Sequence, residues 1–496
     1  MRLGRPWATN AALCLLGLGL LLLTHEYVWE YGGLGHYVIG ASGCSGWSAW
    51  LYIAAVIVVF TQPADRATLG IVLGFAVALQ MATLFADPFS SSDIYRYVWD
   101  GVVQHAHVNP YRYVPGNAAL AWLRAPNQDT YDMINRRDYA VTIYPPAAQM
   151  LYWLVTWFSP TMQAMKAAMV GFEGLALWAL LALMKRMSRP PEQVLLFAWC
   201  PLLAWEIAGA GHVDAAVFAY VVLALLARYK GQPALTGLFL GLAVMTKFYP
   251  LVLLPALWMR RPDAKGLRRL GEWRLPAALL AVVVGGYALY ASAGMKVFGF
   301  LGGYAKEEGI DSGARFFLLD LVQSVHGLSG MPEAAFFAFA AVVMGALSWW
   351  GWKYAAVERF GGDGKDESRF RAEMTERKAT ADTTSEATTP LYLRVAMLLG
   401  FSLMLLFSPH YPWYIVWLIP FFALRPNLTL LTYLMMFFYM FTTALADGSA
   451  AKMFVLNRIL YGAVAGMFLL EMTVLRRWPL RWVFRLTEDE RDVRDV

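Results

Sequence analysis

The chain has 496 residues, of which 59% are hydrophobic and 15% are charged, and its formal net charge is +6. A soluble globular protein carries about 25% charged residues, so this composition excludes an ordinary soluble domain and indicates a polytopic membrane protein. In such a protein the excess of Lys and Arg reports orientation in the bilayer, and we expect no nucleic-acid partner. The 3 cysteines predict neither a disulfide framework nor a metal site.

The predicted elements begin with three apolar spans, at about residues 8–24, 48–61 and 67–86. Arg2 and Arg5 precede the first span and place the N-terminus in the cytoplasm. This span also resembles the apolar part of a signal peptide, but no small-residue cleavage site follows it, so we predict that it stays uncleaved. The chain then leaves the third span on the extracytoplasmic side.

A short amphipathic helix is predicted at the start of the outer loop that follows. Three serines at residues 90–92 precede it, and a hydroxyl there suits a helix N-terminus. Residues at helical spacing form one polar stripe, which consists of Asp93, Arg96, Asp100, Gln104 and His107. Two interpretations are open. The stripe is either a solvated face with surface ion pairs, or it holds a general base at the membrane boundary, with arginines that suit a phosphate.

The rest of the chain alternates apolar segments with basic clusters. If the basic clusters are cytoplasmic, every polar hairpin tip falls on the same outer side as Asp93. One segment, at 142–158, does not fit this alternation. If it crossed the membrane fully, the following tips would change sides, so we predict a re-entrant or interfacial helix opened by its two prolines. The polar tips lie at 209–215, 246–250, 302–317, 408–414 and 446–452.

The predicted fold is therefore an all-α polytopic bundle of about 12–14 transmembrane helices. Residues 360–390 contain almost no large apolar side chain. Such a stretch cannot bury a core, so it predicts a disordered cytoplasmic linker. The predicted regions are N-terminal spans at 1–86, the outer loop at 87–142, a membrane core at 143–356, the linker at 357–390, C-terminal spans at 391–478 and a cytoplasmic tail at 479–496.

Five stretches resemble, in the same order along the chain, the motifs of one group of membrane enzymes. They are "SSDIYRYVWDGVVQHAHVNPYRY", "IYPP", "AWCPLLAWEIAGAGHVDA", "GLFLGLAVMTKFYPLVLLP" and "SPHYPWYIVWLIP". They are similar to those of the C-type glycosyltransferases, and within these to bacterial polyprenol-phosphate-mannose-dependent mannosyltransferases and their relatives. The chain departs from the commonest sequence of this motif at "QHAHVNPY", where a glycine usually precedes the Asn. This difference leaves open how the acceptor is recognised.

The resemblance implies a GT-C fold with a long first catalytic loop. It also implies transfer of a sugar, most plausibly mannose, from a polyprenyl phosphate to a lipid or glycan acceptor. The protein would then lie in the bacterial inner membrane among membrane lipid, with its active site facing the periplasm or exterior. Asp93 matches the catalytic acid of the family's loop, and Asp100 is the second candidate. An inverting transfer needs such a base for the acceptor hydroxyl and cations for the departing phosphate.

Each candidate for binding the donor has a simpler alternative. Lys247 stands at a tip in an apolar segment, where it either binds phosphate or extends to the interface. His212 and Asp214 either bind sugar hydroxyls or form a structural hydrogen bond, and Glu206 is either a functional acid or a pair for one of them. His410 and Trp413 either touch the donor or belong to an aromatic belt. The full set is Arg96, Tyr95, Lys247, Tyr249, His212, Asp214, His410, Arg315 and Trp413.

No His or Cys ligand spacing occurs in the sequence, so we predict metal-independent chemistry without a cofactor. No nucleotide-phosphate loop occurs either, which disfavours a nucleotide sugar as donor. A related transferase for glucose or arabinose, a transporter or flippase of lipid-linked sugar, and an inactive scaffold remain alternatives. Transporters bind their substrates near the bilayer midplane, whereas the polar groups here gather at one face.

Overall fold

The structure is a computed structural model, and every regular element in its described part is a helix. It describes residues 5–31, 41–88, 90–260, 271–307, 316–325, 327–355, 389–409, 411–444 and 450–473. The all-α prediction is therefore confirmed. Most of the predicted linker, the whole of the predicted tail, Arg315 and His410 lie outside the described residues.

The three predicted N-terminal spans are helices that pack against one another. They are α1 (Pro6–Tyr31), α2 (Ala41–Thr61) and α3 (Arg66–Leu84), and α1 contacts both of the others. Asp65 caps α3, because its carboxylate accepts a hydrogen bond from the Thr68 backbone while the Thr68 hydroxyl accepts one from the Asp65 backbone. This reciprocal cap sets the turn between α2 and α3.

The outer loop begins with α4 (Asp93–His105), which starts at the residue predicted for it. Gly101 of α4 lies so close to α5 (Pro146–Phe158) that an added Cβ would stand 2.7 Å from the backbone oxygen of Tyr152. The two helices therefore pack backbone to backbone, and α5 covers one side of α4.

Helix α5 corresponds to the segment at 142–158, which did not fit the predicted alternation of membrane crossings. Its 13 residues extend about 20 Å, which is less than the hydrocarbon core of about 30 Å. Its outward face carries exposed apolar side chains at helical spacing, namely Met150, Trp153, Leu154, Trp157 and Phe158. The short length and this exposed apolar face fit the predicted re-entrant or interfacial helix, which stays a prediction.

The membrane core follows with longer helices and interrupted ones. These are α6 (Met162–Arg186), α7 (Asp214–Tyr229), α8 (Pro233–Val244), α9 (Arg274–Leu289), α10 (Leu301–Glu307), α11 (Glu333–Tyr354), α12 (Leu391–Phe407), α13 (Leu428–Ala444) and α14 (Ala450–Thr473). Short helical turns lie between them, at Ala118–Leu120, Ala121–Arg124, Ala125–Asn127, Gln128–Asp132, Pro191–Val194, Leu195–Ala198, Pro201–Leu203, Ala204–Gly209, Tyr249–Leu253, Leu254–Leu257, Ala291–Phe298, Phe317–Gln323, Pro412–Tyr414, Val416–Leu418 and Ile419–Leu424.

Five helices in the described part of the chain are long and apolar enough to cross a membrane, namely α1, α2, α3, α6 and α11. A sixth crossing results if α9 and the segment Ala291–Glu307, which bend by 114° at their junction, count as one broken span. The predicted 12–14 crossings also count segments that form shorter apolar helices, such as α8 and α12. That number stays a prediction, while the polytopic helical architecture is confirmed.

Candidate active site

Asp93 is the first residue of α4, and its carboxylate is held by two donors. Its backbone N–H donates to the Ser91 hydroxyl at 3.1 Å, so the serine run does bind the start of the helix. Asn135 Nδ2 donates to Oδ1 at 2.9 Å, and the Tyr144 hydroxyl donates to Oδ2 at 3.0 Å. A carboxylate at a helix N-terminus is also stabilised by the helix dipole. Each oxygen of Asp93 therefore has one donor and keeps further acceptor capacity.

Tyr144 is suited to this role because it remains protonated. Burial raises the pKa of the Tyr144 phenol well above its usual value, and the nearby Asp93 carboxylate raises it further. The hydroxyl consequently stays a neutral donor throughout the physiological pH range.

A small cleft opens beside Asp93, with a cavity volume of about 20 Å³. Its lining consists of Asp93, Arg96, Asn135, Arg136, Ala140, Val141, Ile143 and Tyr144. Asp93 is the one acid in this lining, and two guanidinium groups stand with it. The cleft is formed by the start of α4 and by the loop that leads into α5.

Arg96 and Asp100, the middle of the polar stripe of α4, face the protein interior. Arg96 Nε lies 2.9 Å from Asp100 Oδ1, and the two residues are only 5% and 2% exposed. Both terminal nitrogens of Arg96 donate to the backbone oxygen of Ala140, at 3.1 and 3.2 Å, and Gln149 Nε2 donates to Asp100 Oδ2 at 2.9 Å. The interpretation of this stripe as a solvated face is therefore wrong for Arg96 and Asp100, because the loop and α5 cover them.

Three predicted residues of this region, Asp100, His107 and Tyr95, do not line the cleft. Asp100 does not line the cleft, and both of its carboxylate oxygens are already hydrogen-bonded, so its catalytic role stays a prediction with no open face to support it. His107 lies beyond the end of α4, with a positive φ of 58°, and so leaves the helical stripe. Tyr95 is buried on α4 and is absent from the cleft lining.

A second polar cluster joins three of the predicted binding residues. Asp214 is the first residue of α7, and Lys247 Nζ lies 2.6 Å from its Oδ2. The Tyr249 hydroxyl donates to Oδ1 of the same carboxylate at 2.8 Å. The Lys247 side chain is 16% exposed, and its ammonium stands 5.4 Å from the ring of Tyr414. The two hairpin tips predicted to share a side therefore meet.

His212 pairs with Glu206, and the alternative of a His212–Asp214 hydrogen bond does not occur among the described residues. The His212 Nε2 atom lies 3.2 Å from Glu206 Oε2, and both side chains are fully buried. Ser90 donates to the same Glu206 oxygen at 3.3 Å. The His212 ring stacks on Trp413 at 4.4 Å between centroids. Glu206 thus pairs with His212, one of the two partners weighed for it, and links it to the loop before Asp93.

The backbone around this pair departs from a regular α-helix. Glu206 lies in a π-helical turn, Ala204–Gly209, and such turns are frequent at functional sites. Gly211 follows with a φ of 77°, and a Cβ there would stand 2.4 Å from Ile94 Cδ1. Only glycine combines this conformation with this contact at low cost, and the close approach brings the turn against α4.

The sequence did not single out three residues of the cleft as site candidates, namely Asn135, Arg136 and Tyr144. Tyr144 stands in the "IYPP" stretch, so that motif carried a signal for it. Asn135 and Arg136 lie in an irregular part of the loop with no periodic pattern. Arg136 forms an ion pair with Glu307 of α10, and its guanidinium lies 5.6 Å from the ring of Tyr304.

Within the described ranges no group of three or more His, Cys, Asp or Glu side chains could hold a metal ion. The expectation of metal-independent chemistry stays a prediction.

Taken together, the apolar helices and the acid-bearing cleft with its cations define a polytopic membrane protein with a candidate enzyme site. The family model described as alpha-(1->6)-mannopyranosyltransferase, N-terminal domain (MptA_B family) matches residues 11–261, just over half of the chain. The chain belongs to this family, which supports a mannosyltransferase and confirms the resemblance drawn from the motifs. No curated protein and no solved structure matches the chain. The matched region contains Asp93, Arg136, Tyr144, Asp214 and Lys247, while Glu307 and Trp413 lie beyond it.

Proposed function

We propose that this protein is a GT-C-type membrane enzyme that transfers mannose from a polyprenyl-phosphate donor to a lipid or glycan acceptor. The reaction takes place at the outer face of the bacterial inner membrane and inverts the anomeric centre, with Asp93 as general base. One observation carries the assignment of the base. Asp93 is the single acid in the lining of the described cleft, and its two donors, Asn135 and Tyr144, fix its direction.

The proposed step follows from this geometry. The acceptor hydroxyl gives its proton to the Asp93 carboxylate as its oxygen forms a bond to the anomeric carbon. The bond between that carbon and the donor phosphate breaks at the same time, and the lipid phosphate leaves with the bonding electron pair. Asn135 and Tyr144 hold the carboxylate in one orientation, so it need not reorganise when the proton moves.

The departing phosphate needs a cation with free donor capacity. Lys247 is part-exposed and keeps ammonium hydrogens beyond the one that Asp214 accepts. Arg96 lines the cleft beside Asp93, but its guanidinium is already bound to Asp100 and to the Ala140 carbonyl. We therefore assign Arg96 to building the cleft wall and Lys247 to the phosphate.

The outer-face location rests on the agreement between topology and contacts. Asp93 follows the third span, and the tips around Asp214, Lys247 and Trp413, which the charge pattern places on the same side, lie together in one region. Polar groups gathered at one face favour catalysis at the interface over a transporter site at the midplane.

The test is mannosyl transfer in proteoliposomes. Wild type, Asp93→Asn and Asp100→Asn are supplied with short-chain polyprenyl-phosphate mannose, with the glucose and arabinose analogues, and with a crude lipid acceptor. We expect transfer of mannose and a loss of at least about 100-fold in Asp93→Asn, as for removal of a general base. Asp100→Asn, corrected for folded protein, should retain far more activity than Asp93→Asn.

Two results would count against the proposal. Equal transfer by wild type and Asp93→Asn would reject Asp93 as the base. Movement of the intact donor across the bilayer without transfer to any acceptor would favour the transporter or flippase alternative.

A further inference from the structure

Glu206 is a buried acid that the proposed reaction step does not use. The side chains of Glu206 and of its partner His212 are both fully buried, so neither can touch a substrate. Burying such groups costs free energy, so the pair is weak evidence for a purely stabilising role. Glu206 also lies in a π-helical turn, a geometry that is frequent at functional sites. The contacts of these two residues, called the buried dyad below, indicate a role in catalysis at a distance.

The buried dyad contacts the loop immediately before Asp93. The Ser90 hydroxyl donates to Glu206 Oε2 at 3.3 Å, and α4 begins three residues later. Gly211 then packs against Ile94, the second residue of α4, so closely that an added Cβ would stand 2.4 Å from its Cδ1. The same short stretch of chain therefore holds the outer loop both before and after Asp93.

The buried dyad also contacts the polar cluster around Lys247. The His212 ring stacks on Trp413 at 4.4 Å between centroids, and Tyr414 follows Trp413 in the chain. The Tyr414 ring lies 5.4 Å from the Lys247 ammonium. Two residues after His212, the Asp214 carboxylate lies 2.6 Å from the same ammonium. The dyad is therefore connected to Lys247 by two routes.

The carboxylates of Asp93 and Asp214 lie near one buried phenol, that of Tyr97. Burial raises the pKa of Tyr97 well above its usual value, and the two carboxylates raise it further. Tyr97 belongs to α4, and its ring contacts the ring of Tyr144 at 4.9 Å between centroids. Tyr144 in turn donates to Asp93. The proposed base and the Lys247 cluster thus belong to one region, and the buried dyad contacts both sides of it.

We propose that Glu206 is a positioning residue for Asp93. Through Ser90 it fixes the start of α4, and through His212 it connects this start to the aromatic segment beside the Lys247 cluster. This inference rests on the proposed function, in which the acceptor oxygen, the anomeric carbon and the departing phosphate must be aligned. A misplacement of about 1 Å in such an arrangement can cost about 100-fold in rate.

Two other roles for Glu206 predict different results. If Glu206 carried the proton in catalysis, replacing it by Gln would abolish transfer as fully as replacing it by Leu. If Glu206 only stabilised the fold, its loss would lower the melting temperature without changing the rate of the protein that remains folded. A positioning residue is replaced well by Gln, because the amide oxygen still accepts the hydrogen bond from Ser90.

The first measurement is mannosyl transfer in proteoliposomes, corrected for folded protein, with the donor and acceptor concentrations varied. We expect Glu206→Leu to lower kcat about 10-fold to 100-fold with little change in KM. Ser90→Ala should lower kcat about 5-fold to 10-fold, as for loss of one hydrogen bond. Glu206→Gln should stay within about 3-fold of wild type because it keeps that bond.

Glu173→Leu is the matched control. Glu173 is a buried acid of α6 that accepts a hydrogen bond from Gln80 of α3 at 2.8 Å, so its hydrogen bond joins two membrane helices rather than the outer loop. Glu173→Leu should leave kcat unchanged.

A double variant tests whether Glu206 acts through Ser90. The losses caused by Ser90→Ala and Glu206→Leu should not add, so the double variant should transfer at about the rate of Glu206→Leu alone. Fully additive losses would show that the two residues act separately and would overturn the proposal.

A second measurement needs no substrate. Hydrogen exchange reports the opening of the first turn of α4, where the Asp93 N–H donates to the Ser91 hydroxyl. Glu206→Leu and Ser90→Ala should each speed exchange in peptides covering residues 90–98 by at least about 5-fold, as loss of one hydrogen bond predicts. Glu206→Gln and Glu173→Leu should not. Thermal unfolding of every variant verifies that the compared proteins are folded.

The outcomes separate this inference from the proposed function. Unchanged exchange at the start of α4 in Glu206→Leu would overturn the positioning role, and so would an unchanged kcat. Equal losses in Glu206→Gln and Glu206→Leu would assign proton transfer to Glu206 instead. Transfer by Asp93→Asn at the wild-type rate would reject the proposed base, whereas the exchange measurement still decides whether Glu206 holds the start of α4. Normal transfer by Glu206→Leu beside an inactive Asp93→Asn would reject only the positioning role.

Discussion

Arg96 and Asp100 lie one helical turn apart on α4 and form an ion pair inside the protein, with 2.9 Å between Nε and Oδ1. The pair also binds the Ala140 carbonyl of the loop and the Gln149 amide of α5. The same two side chains thus fasten α4 both to the loop that forms the cleft and to α5.

This arrangement predicts a large loss of stability when one partner is removed. Arg96→Gln should lower the free energy of unfolding by about 3–5 kcal/mol, because it leaves a buried carboxylate without its counter-charge. Thermal unfolding in detergent measures the effect. Arg137→Gln, which opens a part-exposed pair on the same loop, should leave the midpoint nearly unchanged. Similar midpoints for the two variants would show that Arg96 and Asp100 are solvated.

Tyr144→Phe tests the orientation of the proposed base. The substitution removes the hydroxyl that donates to Asp93 at 3.0 Å and keeps the ring, so mannosyl transfer should fall about 10-fold to 100-fold, as for loss of a hydrogen bond to a charged group. We expect the loss in kcat rather than in KM. Tyr152→Phe is the control, because no hydrogen-bond partner of the Tyr152 hydroxyl occurs among the described residues. Equal activity of the two variants would contradict the role of Tyr144.

Gly101→Ala tests the contact between α4 and α5. The new Cβ would meet the Thr156 hydroxyl at 2.2 Å and the Tyr152 backbone at 2.7 Å, so the helices must separate at a cost of about 1–3 kcal/mol. Activity should fall with stability because Asp93 moves with α4. Gly174→Ala, in helix α6 with no atom within 4 Å of its Cβ position, should be neutral or slightly stabilising in thermal unfolding. A neutral Gly101→Ala would show that the contact is looser than described.

Lys166→Met tests how the outer loop is attached to the membrane helices. The Lys166 ammonium on α6 donates to the backbone oxygens of Thr83 at 3.1 Å and Ala86 at 2.6 Å, just where α3 ends. Without it the Ala86 carbonyl loses this donor and the Thr83 carbonyl keeps only backbone donors, and we expect about 1–3 kcal/mol of destabilisation together with reduced transfer. Thermal unfolding and transfer assays measure both. Lys185→Met, at the exposed end of the same helix, should change neither, and an equal effect of the two substitutions would assign the loss to net charge.

The start of α4 could be predicted from the sequence because local signals define it. Serines precede Asp93, and polar residues recur at helical spacing behind it. Whether that stripe faces water depends on α5 and the loop, which follow about 40 residues later, so the periodicity alone left two interpretations open. The structure shows that for Arg96 and Asp100 the stripe faces the interior.

The partners of the site could be predicted only in part. The tips around Asp214 and Lys247 were placed on one side by charge distribution, and the structure joins them at 2.6 Å. The pairing of His212 with Glu206 depends on a π-helical turn that no spacing rule for α-helices reveals. Arg136 and Glu307 are 171 residues apart, and an ion pair over that distance has no local signal.

The exposed apolar face of α5 has a consequence for the kinetics of the proposed reaction. If α5 lies at the membrane interface as predicted, the depth of its Trp153, Trp157 and Phe158 face also sets the height of Asp93 relative to the bilayer, because Gly101 packs α4 directly against α5. The proposed lipid-linked donor would then reach Asp93 by two-dimensional diffusion along the leaflet. The transfer rate should therefore follow the mole fraction of donor in the bilayer, and dilution of the vesicles in buffer at constant lipid composition should leave it unchanged.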